Sequence, residues 1–179
     1  LEEIVRANSC SSLAGLIVEP YLGAAGFIFP PAGYLQRLEA WARAKGMLFI
    51  LDEVQSSYGR VGAMWAAVQE GLTPDLMCIG KGIGPGVPVA ALAGKHDVLA
   101  CLAKGEMSST AGGNPVSSAA VIAVLDIMAK EKLPDRANQI GAIIKQRLLA
   151  LQEKSRYLGD VRGRGLVMGL ELVKDKKTK

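Results

Sequence analysis

Met47-Leu-Phe-Ile-Leu-Asp52 is an unbroken apolar run that ends on an acid. Uncharged until its last residue, it reads as a β-strand covered on both sheet faces. The segment before it is helical: after Pro30-Pro31, residues Leu35, Leu38, Trp41 and Ala42 share one face, and Gly46 stops the pattern. After it, Gly62–Gly71 reads as a helix and Leu76-Met-Cys-Ile79 as a second buried strand leading to Lys81. Leu13–Val18 supplies a buried strand upstream, and Val87–Ala93 a strand-like run downstream. Helix and buried strand in alternation is the rhythm of an α/β domain with a mostly parallel sheet.

Further along, Pro115–Lys130 is Ala-rich and helical. Pro134-Asp135 opens another helix, with Ile140, Ile143, Ile144, Leu148 and Leu151 as its apolar stripe. Asp160–Leu172 reads as one strand-like stretch. The expected organisation is a large domain over residues 1–130 and the first part of a small α+β domain over 131–179. Because the chain opens at Leu1 and not at methionine, it reads as a piece of something longer, incomplete as an enzyme by itself.

Composition narrows the function. Half the residues are apolar and 21% are charged, which suits a globular chain. The formal charge of +4 is concentrated in Lys174, Lys176, Lys177 and Lys179, a solvated basic tail rather than a nucleic-acid footprint across the body. Cys10, Cys78 and Cys101 show no metal-ligand spacing, and the lone His96, read as a solvated loop residue, has no clustered partner. Neither a metal site nor a serine–histidine triad is expected. No run is long enough to span a membrane, no signal peptide opens the chain, and dispersed thiols suit a reducing cytoplasm.

In parallel sheets ligands gather at the carboxyl ends of strands, where Asp52 and Lys81 both fall. Lys81 lies within Gly80-Lys-Gly-Ile-Gly-Pro-Gly86, and glycines on both sides let the backbone approach a bound group. Desolvation at a buried strand end favours a neutral amine, the form that makes Schiff bases. A carboxylate nearby suits a cationic partner such as a protonated pyridine nitrogen. The same residues also fit a bland reading, a surface lysine in a turn and an acid capping the next helix.

Leu51-Asp-Glu-Val-Gln-Ser-Ser-Tyr-Gly-Arg-Val-Gly62 resembles the signature of the class III aminotransferases, enzymes dependent on pyridoxal 5'-phosphate. Val18-Glu-Pro20, Gly80-Lys-Gly82, Ser109-Thr-Ala-Gly-Gly-Asn-Pro115 and Asp160-Val-Arg-Gly-Arg-Gly165 follow in that family's order. The resemblance implies a fold of type I, aspartate-aminotransferase-like, and transfer of an amino group from an amine or amino acid to a 2-oxo acid. It implies that Lys81 carries the cofactor as a Schiff base and serves as the proton-moving base, while Asp52 pairs with the pyridine nitrogen. Val54 packs on the ring, Gln55 hydrogen-bonds its phenolic oxygen, and Thr110 donates to the phosphate held by a neighbouring subunit, so a homodimer shares the site. Arg60 and Arg164 are read as structural, and Glu53 as a helix-start or salt-bridge residue.

Where ornithine- and 4-aminobutyrate-type members carry a glutamate in the turn after Glu19-Pro20, this chain has Ala24. The resemblance therefore implies the reaction class and no named substrate. Racemases, epimerases and aminomutases of the same fold share the lysine and the acid. A different class, the nucleotide hydrolases, has a Walker B strand resembling Met47–Glu53. Such an enzyme needs a glycine where Asp75 stands and a hydroxyl where Gly82 follows Lys81.

Overall fold

A computed structural model describes residues 1–9 and 12–177; Cys10 and Lys179 lie outside the described residues. After the short helix α1 (Glu2–Asn8), strands β1 (Gly15–Val18), β2 (Leu48–Asp52) and β3 (Leu76–Ile79) lie side by side in parallel. β4 (Ala91–Gly94) pairs antiparallel with β3. Helix α2 (Tyr34–Ala44) connects β1 to β2, and α3 (Ala66–Glu70) connects β2 to β3. The mixed α/β fold with a mostly parallel sheet is the one the sequence predicts.

The core forms where α2 lays Leu35, Leu38 and Ala42 against Phe49 and Leu51, with Met47, Ala67 and Leu72 completing the cluster. Burying side chains of this size contributes about 1.5–3 kcal/mol each. Both connecting helices add to this one cluster, and that corrects two expectations. In β2 burial alternates, with Phe49 and Leu51 enclosed while Leu48 and Ile50 stay partly open. β1 is an edge strand, not a buried one, and Ile17 is 61% exposed.

Two other elements are shorter than predicted. Gly59 and Gly62 adopt φ values of 78° and 90°, so the chain turns through this region and helix begins only at Ala66. The strand after Lys81 begins at Ala91, because Gly86 turns at φ 88° and Pro88 has no N–H for a ladder. His96 is the exposed first residue of the short helix α4 (His96–Leu99) and not a loop residue.

Helix α5 (Pro115–Glu131) starts where Asn114 Oδ1 accepts from the Val116 and Ser117 amides, with Pro115 in the first turn. Lys132, at φ 49°, separates it from α6 (Leu133–Lys154). The stripe predicted for α6 is exposed at Ile140, Ile143, Ile144 and Leu151, and half-buried at Leu148. The packed face is instead Ala137 and Gly141. A Cβ on Gly141 would lie 1.9 Å from the Gly165 carbonyl oxygen, so glycine permits the approach. Alongside, Lys145 Nζ donates to the Gly163 carbonyl and Gln152 Nε2 to the Gly159 carbonyl.

The stretch expected as one strand folds as a hairpin of β5 (Leu158–Arg164) and β6 (Val167–Leu172). Its tip, Gly165, has φ 55°, and a Cβ there would lie 2.4 Å from the Val61 carbonyl carbon. Leu166 N donates to the Arg60 carbonyl at 2.9 Å, and Arg162 donates to the carbonyls of Gly26 and Phe27. These contacts seat the hairpin beside the carboxyl end of β2.

Asp75, 6% exposed, ties β2 to the residue after the end of β4 by accepting from Phe49 N at 2.8 Å and Lys95 Nζ at 2.7 Å. Burial pushes its carboxyl up, but Lys95, the Phe49 amide and Arg43 together outweigh burial and hold it below the ordinary range. A carboxylate held low in the folded state stabilises above its unfolded pKa of about 4, and that stability is lost as pH falls through the folded value. Asp75→Asn is expected to cost about 1–3 kcal/mol at neutral pH. It should also flatten the acid side of the stability–pH curve, measured by chemical denaturation.

Candidate active site

The carboxyl end of β2 is held by the residue after Asp52. Glu53 is 0% exposed, and its carboxylate accepts from Ser56 Oγ at 2.5 Å, Ala66 N at 3.1 Å and Ala67 N at 2.7 Å. Its own N–H donates to the Cys78 carbonyl of β3. Glu53 therefore caps α3, where a negative charge meets unpaired amides, as the sequence reading has it. With Glu53 turned inward, Asp52 and Val54 flank it.

Asp52 Oδ1 accepts from Val54 N at 3.0 Å, a local turn that orients the carboxylate. Its strand partner is Cys78, whose thiol is pushed up by burial first and by the Asp52 charge second. Beyond Cys78 comes the Gly80-Lys-Gly82 segment. A Cβ on Gly80 would lie 3.2 Å from Val54 Cγ1, and one on Gly82 would lie 3.0 Å from Tyr58 Cβ. Both glycines thus leave room for the turn following Asp52, which packs closely against them. Lys81 sits between them at φ 45°, a left-handed conformation costly for a residue with a side chain, and opens a single 3-10 turn, Lys81–Ile83. Such strain clusters at functional sites.

One expectation fails here. Lys81 is exposed and not partly desolvated. It stands two residues past the end of β3, at the start of the 3-10 turn.

Gln55 completes the group. Its Oε1 is buried with no hydrogen-bond partner, and a Cβ on Gly23 would come within 1.9 Å of it, so glycine at 23 leaves room for the amide. The Gln55 main-chain carbonyl accepts from Tyr21 OH at 3.3 Å. Tyr21, 2% exposed, packs its ring on Phe29 at 4.9 Å, and burial pushes its phenol up to about 12. A cavity of about 260 Å³ opens here, lined by Tyr21, Gln55, Ser57, Arg60, Lys81 and Gly82, with Leu166 and Met168 of the hairpin segment opposite.

Four of the five sequence-predicted residues, Asp52, Val54, Gln55 and Lys81, meet at one end of the sheet; Gln55 and Lys81 line the cavity, whereas Asp52 and Val54 do not. Thr110 stays apart, on an exposed segment between α4 and α5. The two arginines also part ways. Arg164 pairs with Glu70 and lies over the Phe29 ring at 5.3 Å, a structural role. Arg60 has no ion pair or side-chain hydrogen bond among the described residues. Tyr21 and Ser57 were missed by sequence reasoning, since a lone tyrosine and serine beside turns carry no spacing signal. No group of metal-ligating side chains occurs among the described residues.

An acid at a strand end, a small apolar side chain, an amide with an unsatisfied oxygen and a lysine suit a flat, polar-edged, carbonyl-bearing cofactor. The unpartnered Gln55 amide is the specific feature that a bound group would satisfy. These features define the class as a fold type I transferase. The profile of the family Aminotransferase class-III matches residues 1–179, and the chain belongs to that family.

The chain is 43% identical over 171 residues to the 4-aminobutyrate aminotransferase of Mycobacterium leprae (strain TN), covering 96% of this chain and 38% of that protein. It is 42% identical over 167 residues to the isoleucine 2-epimerase of Lentilactobacillus buchneri, covering 93% and 37%. An amine transaminase from an uncultivated Pseudomonas species, solved in its PLP-bound form, superposes with a TM-score of 0.92 at 37% identity, covering 99% and 42%. The chain spans about two fifths of the length of these relatives.

Glu53→Ala would leave Ser56 and two amides without their acceptor. It is expected to lower stability by about 2–4 kcal/mol in chemical denaturation, with Glu53→Gln in between.

Proposed function

We propose that this chain is the lysine-bearing part of an aminotransferase that moves an amino group from an amine or amino acid to a 2-oxo acid. What carries the reading is that Asp52, which ends β2, and Lys81, which follows the end of the adjacent parallel strand β3, fall at the same carboxyl end of the sheet, with Gln55 sharing the cavity that Lys81 lines. Bound there, pyridoxal 5'-phosphate supplies an electron sink for the substrate carbon whose bond is broken. Asp52 holds the proton on the ring nitrogen. Val54 packs against the ring face, and Gln55 hydrogen-bonds the phenolic oxygen. Lys81 Nζ would hold the cofactor's carbonyl carbon and would move the proton at the substrate carbon. Thr110, remote from Lys81's cavity, suits a donor to the phosphate of a second subunit, which makes the working unit a homodimer with a shared site.

Residues 1–130 on this reading belong to the large cofactor domain and 131–179 to the small one, with Lys132 at the break between α5 and α6. A cytoplasmic setting suits Cys78 and Cys101, which are free thiols among the described residues. The nucleotide-hydrolase reading loses ground: Asp75, where a glycine is needed, is a buried ion-paired carboxylate. Epimerisation is the second reading, favoured by the identity to an isoleucine 2-epimerase, because it needs the same lysine and acid.

The test is to incubate the chain with pyridoxal phosphate, reduce with borohydride and map the labelled peptide. A pyridoxyl group on Lys81, absent in Lys81→Ala, is expected; label scattered over Lys174, Lys176 and Lys177 would overturn the reading. Asp52→Ala should weaken cofactor binding by roughly tenfold or more, the effect of losing a charge-assisted hydrogen bond.

A further inference from the structure

We propose that Arg162 is a positioning residue: from the β5–β6 hairpin it sets the Gln55 carboxamide, acting through the turn Gly23–Phe27. Its bearing on the reaction rests on the reading of Gln55 and Lys81 given above.

The turn has an uncommon shape. Gly26 has φ 100°, and Phe27, which carries a side chain, has φ 56°. A left-handed residue other than glycine persists only where its surroundings fix it. Arg162 supplies that hold. Its Nε donates to the Gly26 carbonyl at 3.1 Å and the Phe27 carbonyl at 3.2 Å, and its Nη2 donates to Gly26 at 2.8 Å. Asp160 Oδ2 accepts from Nη1 at 2.6 Å, so the guanidinium fork is aimed from its other side as well. Gly169, the register partner of Arg162 on β6, keeps the path clear. A Cβ there would lie 2.8 Å from the Gly26 carbonyl oxygen and 3.1 Å from Arg162 Nε.

From the turn, contacts lead on to the site. Gly26 N and Phe27 N each donate to the Gly23 carbonyl at 3.3 Å, and Gly23 N donates to Glu19 Oε2 at 3.0 Å. Gly23 lies flush with the Gln55 carboxamide, since a Cβ on it would come within 1.9 Å of Oε1 and 2.8 Å of Cδ. Gln55 Oε1 is buried and unpartnered, so packing against Gly23, and not a hydrogen bond, limits where that oxygen stands. Phe27 lines the same cavity as Gln55 and Lys81. A turn released from Arg162 therefore moves both an amide and a ring of that cavity.

The hairpin carries its own comparison. Arg164 also docks it, by pairing with Glu70 and lying over Phe29, but donates to no atom of the turn among the described residues. Loss of Arg164 loosens the docking and leaves the turn's own hold in place.

The experiment follows amide hydrogen exchange and the Gln55 side-chain NH2 resonances by NMR in the cofactor-free 179-residue chain. Arg162→Met is expected to speed exchange at Leu22 and Ile28, whose amides bridge the base of the turn, at least tenfold. Exchange in β2 should stay unchanged, which separates local release from lost global stability. The Gln55 resonances should shift, and Arg162→Lys should recover part of both effects. Gly169→Ala, which keeps the arginine but crowds the Gly26 carbonyl, should shift the same resonances. Gln55 resonances unmoved in Arg162→Met, or moved equally by Arg164→Met, would overturn the proposal. With pyridoxal phosphate bound, the pH midpoint of its absorbance should move in Arg162→Met in the direction it moves in Gln55→Ala, and no further in the double variant. Additive shifts would contradict the route through Gln55. Borohydride labelling of the wild-type chain reports separately on Lys81: its absence there sinks the cofactor reading and leaves the Arg162 result, read without cofactor, standing.

Discussion

Everything at the carboxyl end of the sheet depends on one buried carboxylate. Glu53 ties the residue after β2 to Ser56 and to two amides of α3, while its backbone amide is held by β3. A buried charge is tolerable only when it is fully hydrogen-bonded, so this position admits little variation in geometry. Holding Glu53 fixes the turn on which Asp52, Val54 and Gln55 are displayed. That turn in turn presses on Gly80 and Gly82, and so determines how the chain passes through Lys81.

Lys81 pays for its position with a left-handed backbone, flanked by two glycines against which Val54 and Tyr58 pack closely. The Gly-Lys-Gly pattern is therefore a packing requirement as much as an opening for a ligand. Opposite it, the hairpin tip at Gly165 touches the backbone at Val61, which brings residues 166–168 into the wall of the same cavity. The site is assembled from segments far apart in sequence, brought together at glycines: Gly165 against the Val61 backbone, Gly80 against Val54 and Gly82 against Tyr58.

Much of this was legible in the sequence. The alternation of strand and helix, the helix opening at Pro115 and the places of Asp52 and Lys81 after their strands follow from local pattern, and the order of motifs carried the family. What was not legible depends on contacts between distant residues. Apolar runs such as Leu13–Val18 and the stripe on α6 state that burial is wanted, but not what supplies it, and within this chain their outer faces are open. The hairpin hid inside one strand-like stretch because Gly159, Gly163, Gly165 and Gly169 recur along it, and only the φ of 55° and the docking of Gly165 against Val61 and Gly62 mark which of them is the turn. Arg60 and Arg164 look alike in sequence; Glu70 and the Phe29 ring beside Arg164 separate them.

The central claim is that Asp52 and Lys81 hold the two ends of one cofactor. A crystal structure of the chain grown with pyridoxal phosphate tests it most directly. The account predicts continuous density from Lys81 Nζ into the cofactor, with the ring nitrogen about 3 Å from the Asp52 carboxylate. A cofactor bound elsewhere, or one joined to Lys81 with its ring nitrogen turned away from Asp52, would contradict it.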